Sequence, residues 1–381
     1  DIKTTSVFYY NNKLATELSG SELLTVAMNR SESFLGQKVT IDSGIKTDSV
    51  DFMSETFYTG DKGDETAHYS YNYKLSSRDI ADIKTTSVFY YLGDKLATEL
   101  AGREIVTSQM VRSESFRGQK TDVTAAIKTD ALDFMSETFY TGDKGDETAH
   151  YSYNYKLSSR DIADIKTTSV FYYGLDKKLA TELTGRELVV SPMTKSESFR
   201  GQKTDITAAI KIDSVDFMSE TFYTGAKGDE TAWYSYNYKL GSRNLGDIKT
   251  TSVFYYNNKL ATELSGSELL TVAMNRSESF LGQKVTIDSG IKTDSVDFMS
   301  ETFYTGDKGD ETAHYSYNYK LSSRNLGGIK TTSVFYYLGD KLATELAGRE
   351  IVTSQMVRSE SFRGQKTDIT AAIKIDSVDF M

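Results

Sequence analysis

The chain has no cysteine and a single proline, Pro192, in 381 residues. Without cysteine there can be no disulfide staples, thiolate metal sites or cysteine nucleophiles. A lone proline excludes a proline-rich linker or a mucin-like stalk. Histidine is nearly as scarce, at three residues, and tryptophan occurs once. No apolar run approaches the roughly 20 residues that a helix needs to span a bilayer. No secretory leader is present, and because the sequence opens on Asp1 this says nothing about location. The charge of −10, from 54 acidic and 44 basic residues, is spread evenly along the chain. Such a surface repels a phosphate backbone, so nucleic acid is not an expected partner.

What the sequence does have is repetition. The string DIKTTSVFYY begins at Asp1, Asp82, Asp164 and Asp247, and returns as GIKTTSVFYY at Gly328. A period of this length points to a modular array before any enzyme. The expected modules are residues 1–81, 82–163, 164–246 and 247–327, with a partial fifth copy at 328–381. Residues 1–78 and 247–324 are identical, and 83–122 match 329–368 without a change. Copy five follows copy two to Asp368 and then continues as copy three does, which indicates exchange among copies.

Tyrosine and phenylalanine are abundant, at 26 and 19 residues, and aromatic and β-branched side chains favour pleated surfaces. The modules differ in length at one place, between the Tyr-Tyr pair and the Lys-Leu-Ala-Thr-Glu-Leu run. There the sequence reads Asn11-Asn12, Leu92-Gly93-Asp94, Gly174 to Lys177, Asn257-Asn258 or Leu338-Gly339-Asp340. A site that accepts two to four residues of this kind is a hairpin tip, which predicts paired strands at Thr4–Tyr10 and Lys13–Leu18. Alternation at Leu24, Val26 and Met28 predicts another strand, with a helix as its rival because Leu14/Leu18 and Leu24/Met28 are four apart. Val39, Ile41 and Ile45 share one parity and Val50 and Phe52 the other, which predicts a turn or bulge near Thr47-Asp48. Ser54–Thr59 and the Tyr69/Tyr71/Tyr73 alternation complete about six strands per module. The expected fold is therefore all-β, a tandem antiparallel β-meander of about 82 residues per repeat, forming an elongated or polymeric array.

Candidate chemistry is sparse. His68, His150 and His314 share one repeat position, and copy three has Trp233 there. Indole cannot replace a metal ligand or a general base, so an aromatic structural slot is the better reading. The acidic, glycine-containing loops offer hard oxygens to a calcium ion through Asp61, Asp64 and Glu65, Asp143, Asp146 and Glu147, and Asp307, Asp310 and Glu311. The same residues also suit a plain turn. The block Ser31-Glu32-Ser33-Phe34 recurs in all five copies with no histidine or second base at a fixed offset, so it reads as strand and turn and no catalytic residue is assigned. The tyrosines Tyr9, Tyr10, Tyr58, Tyr69, Tyr71 and Tyr73 form the most promising contact surface, suited to protein interfaces or to sugar rings.

These readings point to a structural protein, not an enzyme. It would be extracellular or at the cell surface, self-associating into filaments or layers through strand edges and tyrosine faces. A multivalent glycan-binding adhesin is the alternative. An outer-membrane barrel is third, because Arg30 shares the parity of Leu24, Val26 and Met28, and Asp48 and Asp51 interrupt the next stretch.

Overall fold

The computed structural model describes residues 2–266, 268–309, 311–346, 350, 354–375 and 380. The first repeat runs through β1 (Thr4–Tyr10), β2 (Lys13–Leu14), a 3-10 turn at Ala15–Glu17, α1 (Glu22–Thr25) and β3 (Met28–Leu35). It continues through a 3-10 turn at Ser43–Lys46, β4 (Phe52–Thr59), β5 (Thr66–Tyr73) and a 3-10 turn at Ile80–Asp82. The strand that follows, β6 (Ile83–Tyr91), is the β1 equivalent of the second repeat. Strands equivalent to β1 then recur at Ile165–Tyr173, Ile248–Tyr256 and Ile329–Tyr337. Every pairing is antiparallel, in the order β1–β3, β3–β4, β4–β5 and β5–β6. The protein is thus an all-β array of tandem meanders.

The chain divides into two compact units, residues 1–191 with 200–208, and residues 192–199 with 209–381. The first contains the junctions between repeats one and two and between two and three. The second contains the junctions between three and four and between four and five. Neither unit closes on itself among the described residues. In the first, β1 pairs with β2 and β3. In the second, Met356–Arg363 pairs with Ile329–Tyr337 and, through Phe362, with Phe380. No described helix is long and apolar enough to cross a membrane.

The hairpin tip lies where length variation placed it. Asn11 and Asn12 have φ of 48° and 62°, the left-handed geometry of a two-residue tip that asparagine tolerates. Its second arm is shorter than expected. Only Lys13–Leu14 pairs with β1, and the chain then turns at Ala15–Glu17 because the Glu17 carboxylate accepts the Leu14 N–H at 2.7 Å.

Two further expectations are corrected. The segment from Leu24 is not strand, since α1 occupies Glu22–Thr25 and β3 begins only at Met28. Glu22 accepts from the Ser19 N–H and hydroxyl, both at 3.0 Å, and so stabilises the first helical turn. The Val39–Ile45 segment is not strand either. Val39 and Ile41 are exposed, and a 3-10 turn capped by Asp42 inserts Ile45 alone into the core. Each complete repeat therefore has four long strands and a two-residue fifth, not six.

Both faces of the meander are packed. On one face Val7, Tyr9, Leu14, Phe34, Ile45, Phe52, Tyr71 and Tyr73 form a cluster that Ile83 of the second repeat completes. Adjacent strand residues point to opposite faces. Accordingly, Tyr90 joins the large cluster while Tyr91 packs with Ala97 and Leu100 in a smaller one.

Candidate functional site

The tyrosines converge on the seam between repeats. Strand β5 ends one repeat and pairs with β6 of the next in the register Tyr69 to Val88, Ser70 to Ser87 and Tyr71 to Thr86. Equivalent strands pair at Tyr151 to Val170, Tyr234 to Val253 and Tyr315 to Val334. Side-chain bonds lock the register. Asn72 donates to the Thr85 and Ser87 hydroxyls at 3.1 and 3.3 Å, and the Tyr71 hydroxyl donates to the Lys120 carbonyl of the second repeat at 2.6 Å. In the reverse direction the Tyr91 hydroxyl donates to the Ala67 carbonyl of the first. Burial drives the pKa of Tyr71 and Tyr91 upward, so both phenols remain donors.

The other predicted tyrosines also face inward. Tyr9 is fully buried and donates to Glu32 at 2.7 Å, and Tyr73 donates to Glu55 at 2.6 Å. Tyr69 stacks on Phe57 with ring centroids 4.6 Å apart, and the Tyr58 hydroxyl pairs with that of Ser31. Tyr10 is half-buried, whereas its equivalent Tyr256 is buried.

The buried centre of each repeat is ionic, a role that sequence reasoning did not assign to the recurring glutamate. Glu32 and Glu55 are direct cross-strand partners, an arrangement that repels unless cations intervene. Arg30 bridges them, and Arg78 donates to both oxygens of Glu32 at 2.8 Å. Arg78 also lies 3.9 Å from the centroid of the Phe52 ring and reaches the Ile45 and Asp48 carbonyls. The second repeat builds the same cluster from Arg112, Glu114, Glu137 and Arg160. Burial raises the pKa of Glu114, but the Arg160 hydrogen bond and both guanidinium charges outweigh it and hold the carboxyl below its usual range. The legible signal was a Glu and an Arg in every complete copy, 46 residues apart. These groups border a cleft of about 440 Å³ lined also by Phe134, Phe139 and Tyr155.

The histidine position is a β-bulge. Tyr69 opposes Phe57 and Ala67 opposes Tyr58, which leaves His68 as the extra residue. His68 Nε2, His150 Nε2, His314 Nε2 and Trp233 Nε1 are buried with no hydrogen-bond partner. Trp233 packs against Tyr256, Ala261 and Leu264 of the following repeat. Burial lowers the pKa of all three histidines.

In the acidic loops the glutamates hold backbone. Glu65 accepts the Met28 and Gly63 N–H groups at 3.0 Å, and Glu147 and Glu311 do the same for Met110 and Gly145, and for Met274 and Gly309. The Asp61 carbonyl closes the turn by accepting the Asp64 N–H, and Asp143 does so for Asp146. Asp307 lies at the equivalent loop, and Asp310 lies outside the described residues. Among the described residues, no group of three or more His, Asp or Glu side chains is placed to hold a metal ion.

No protein-family model and no curated protein matches the chain. Among solved structures, it is similar to the crystal structure of TcdB2-TccC3-TEV, with a TM-score of 0.20 and 8% identity over 90% of this chain and 15% of that one. The crystal structure of TcdB2-TccC3 gives a TM-score of 0.14 and 8% identity over 94% and 21%. The chain thus spans about a fifth or less of those proteins, and likenesses at these scores carry no argument about its fold or role.

Proposed function

We propose that the chain is a structural repeat protein, extracellular or at a cell surface, which self-associates into filaments or layers through strand edges and tyrosine-rich faces. The supporting observation is the seam: at each of the four junctions, a strand of one repeat pairs with the first long strand of the next. An array joined in this way supplies length and identical interfaces, which scaffolds need and single-site enzymes do not. The tyrosines line the seam between repeats, and an interface between chains built in the same way would use the same rings.

A second reading, multivalent glycan binding, draws support from the cleft in the second repeat. Its aromatic rings lie beside carboxylate and guanidinium groups, a composition suited to sugar hydroxyls and ring faces. Sedimentation velocity across a concentration series, with negative-stain microscopy and a glycan array, separates the two. Growth into regular fibres or sheets with no sugar bound supports the structural reading. A monodisperse monomer that binds a glycan overturns it.

A further inference from the structure

At the ionic centre of the repeats, one edge of the bridging guanidinium has two different fates. In the second repeat Arg112 spends Nη1 on Glu114 and Glu137, and turns its Nε and Nη2 edge onto Asp94 Oδ1 at 3.1 and 2.7 Å. In the fifth copy Arg358 bonds to Asp340 through the same two nitrogens. Both aspartates stand at the hairpin tip, where the first and fourth repeats carry Asn12 and Asn258. Arg30 still bridges Glu32 to Glu55 through Nη1, and Arg276 bridges Glu278 to Glu301. Among the described residues, however, no acceptor meets the Nε and Nη2 of either arginine, and Arg30 Nε is buried without a partner. The asparagines do not take over the role of the aspartates. Asn12 exchanges hydrogen bonds with the Asn29 side chain, and the Asn258 N–H donates to Asn275 Oδ1 at 3.2 Å.

The charge balance shifts in the same sense. The cleft of the second repeat sets three carboxylates, Asp94, Glu114 and Glu137, against three cations, Arg112, Lys128 and Arg160. Its lining residues recur in the first and fourth repeats except that asparagine replaces Asp94, so cations there exceed carboxylates by one. We infer that the Nε and Nη2 edges of Arg30 and Arg276 are two equivalent receptors for the carboxylate of an acidic sugar, a hexuronate. The inference rests on the glycan-binding reading of these clefts and names the class of sugar. A carboxylate on this edge receives charge-assisted hydrogen bonds from both nitrogens, as Asp94 does within the second repeat. In the fourth repeat Glu301 supplies an acceptor for ring hydroxyls, and the half-buried Phe303 ring supplies an apolar face. A neutral sugar leaves the guanidinium edge unpaired, and a simple carboxylate lacks the hydroxyl and ring contacts. In the second and fifth copies the internal aspartate already occupies the edge.

The test is isothermal titration calorimetry of the full 381-residue chain with methyl glucuronide, methyl glucoside and acetate. The glucuronide is expected to saturate two sites per chain, with the glucoside and acetate at least tenfold weaker. Arg30→Lys and Arg276→Lys keep the charge and remove the two-nitrogen edge. Copy three carries lysine at this position, where Lys195 still bridges Glu197 and Glu220 at 2.5 and 3.5 Å, so the fold accommodates the change. Each single variant is expected to remove one site and the double variant both, with circular dichroism identical to wild type. Equal binding of glucuronide and glucoside overturns the inference and leaves the glycan reading standing, whereas failure of both sugars to bind overturns the two together. Acetate binding as tightly as the glucuronide, or glucuronide binding unchanged in the double variant, also overturns the inference.

Discussion

Arg160 grips Glu114 through two parallel hydrogen bonds, Nη1 to Oε1 at 2.7 Å and Nη2 to Oε2 at 2.8 Å, across 46 residues of sequence. Glu114 is 1% exposed, so this pair fastens the loop at the end of the repeat to its second long strand from within the core. Removing one member leaves a buried charge uncompensated, which costs about 3–5 kcal/mol, whereas replacing both with apolar residues is often nearly neutral. Arg160→Met and Glu114→Met are each expected to destabilise by that amount in urea unfolding. The double variant is expected to lose markedly less than their sum.

The same carboxylate sets an acid limit. Glu114 and Glu197 have pKa values below the ordinary 4.5, where burial is opposed by arginine hydrogen bonds and nearby cations. A lowered carboxylate contributes stability that is complete above its ordinary pKa and is lost as pH falls through the lowered value. Urea midpoints are therefore expected to fall steeply below about pH 4.5, and less steeply in Glu114→Met/Arg160→Met.

Histidine acts in a higher window. Burial favours the neutral rings of His68, His150 and His314, so their folded pKa lies below the ordinary histidine value of 6.5. Below that value the unfolded chain binds protons that the folded chain does not, and stability declines with falling pH until the folded pKa is passed. Changing all three to tryptophan, the residue that copy three carries at this position, is expected to flatten the melting temperature between pH 7 and about pH 5. An unchanged slope would contradict the buried-ring account.

The seam hydrogen bonds are individually modest. Tyr71→Phe removes the bond to Lys120 while keeping the ring, and is expected to cost about 0.5–1.5 kcal/mol in urea unfolding. Because the Lys120 N–H retains its bond to Thr86 Oγ1, the loss is confined to the carbonyl, and faster amide exchange is expected on the strands Thr66–Tyr73 and Ile83–Tyr91.

The acidic loops give a ligand test. Glu65, Glu147 and Glu311 already spend their carboxylates on backbone N–H groups. Millimolar calcium is expected to leave the melting temperature unchanged, and a rise that saturates with calcium would instead mark the loops as a metal site.

Much of the fold was legible because the sequence repeats: the hairpin tip at Asn11-Asn12 and the strand of the Tyr69–Tyr73 alternation both follow from sequence spacing. The one-turn α1 was harder to see. Its signal was Ser19 three residues before Glu22, a capping pattern overshadowed by the alternation of Leu24, Val26 and Met28. Val39 and Ile41 misled because apolar parity implies a buried face, and both are exposed. The Glu32–Arg78 pair stayed hidden because its members are remote in sequence and each resembles an ordinary surface charge until the strands bring them together.

Stability as a function of repeat number tests the central claim most directly, using chains of one, two and three repeats beginning at Asp82. If each repeat is completed by the β-strand that follows it, the single repeat should be largely unfolded and the urea midpoint should climb with every repeat added. A single repeat as stable as the full chain would contradict the account.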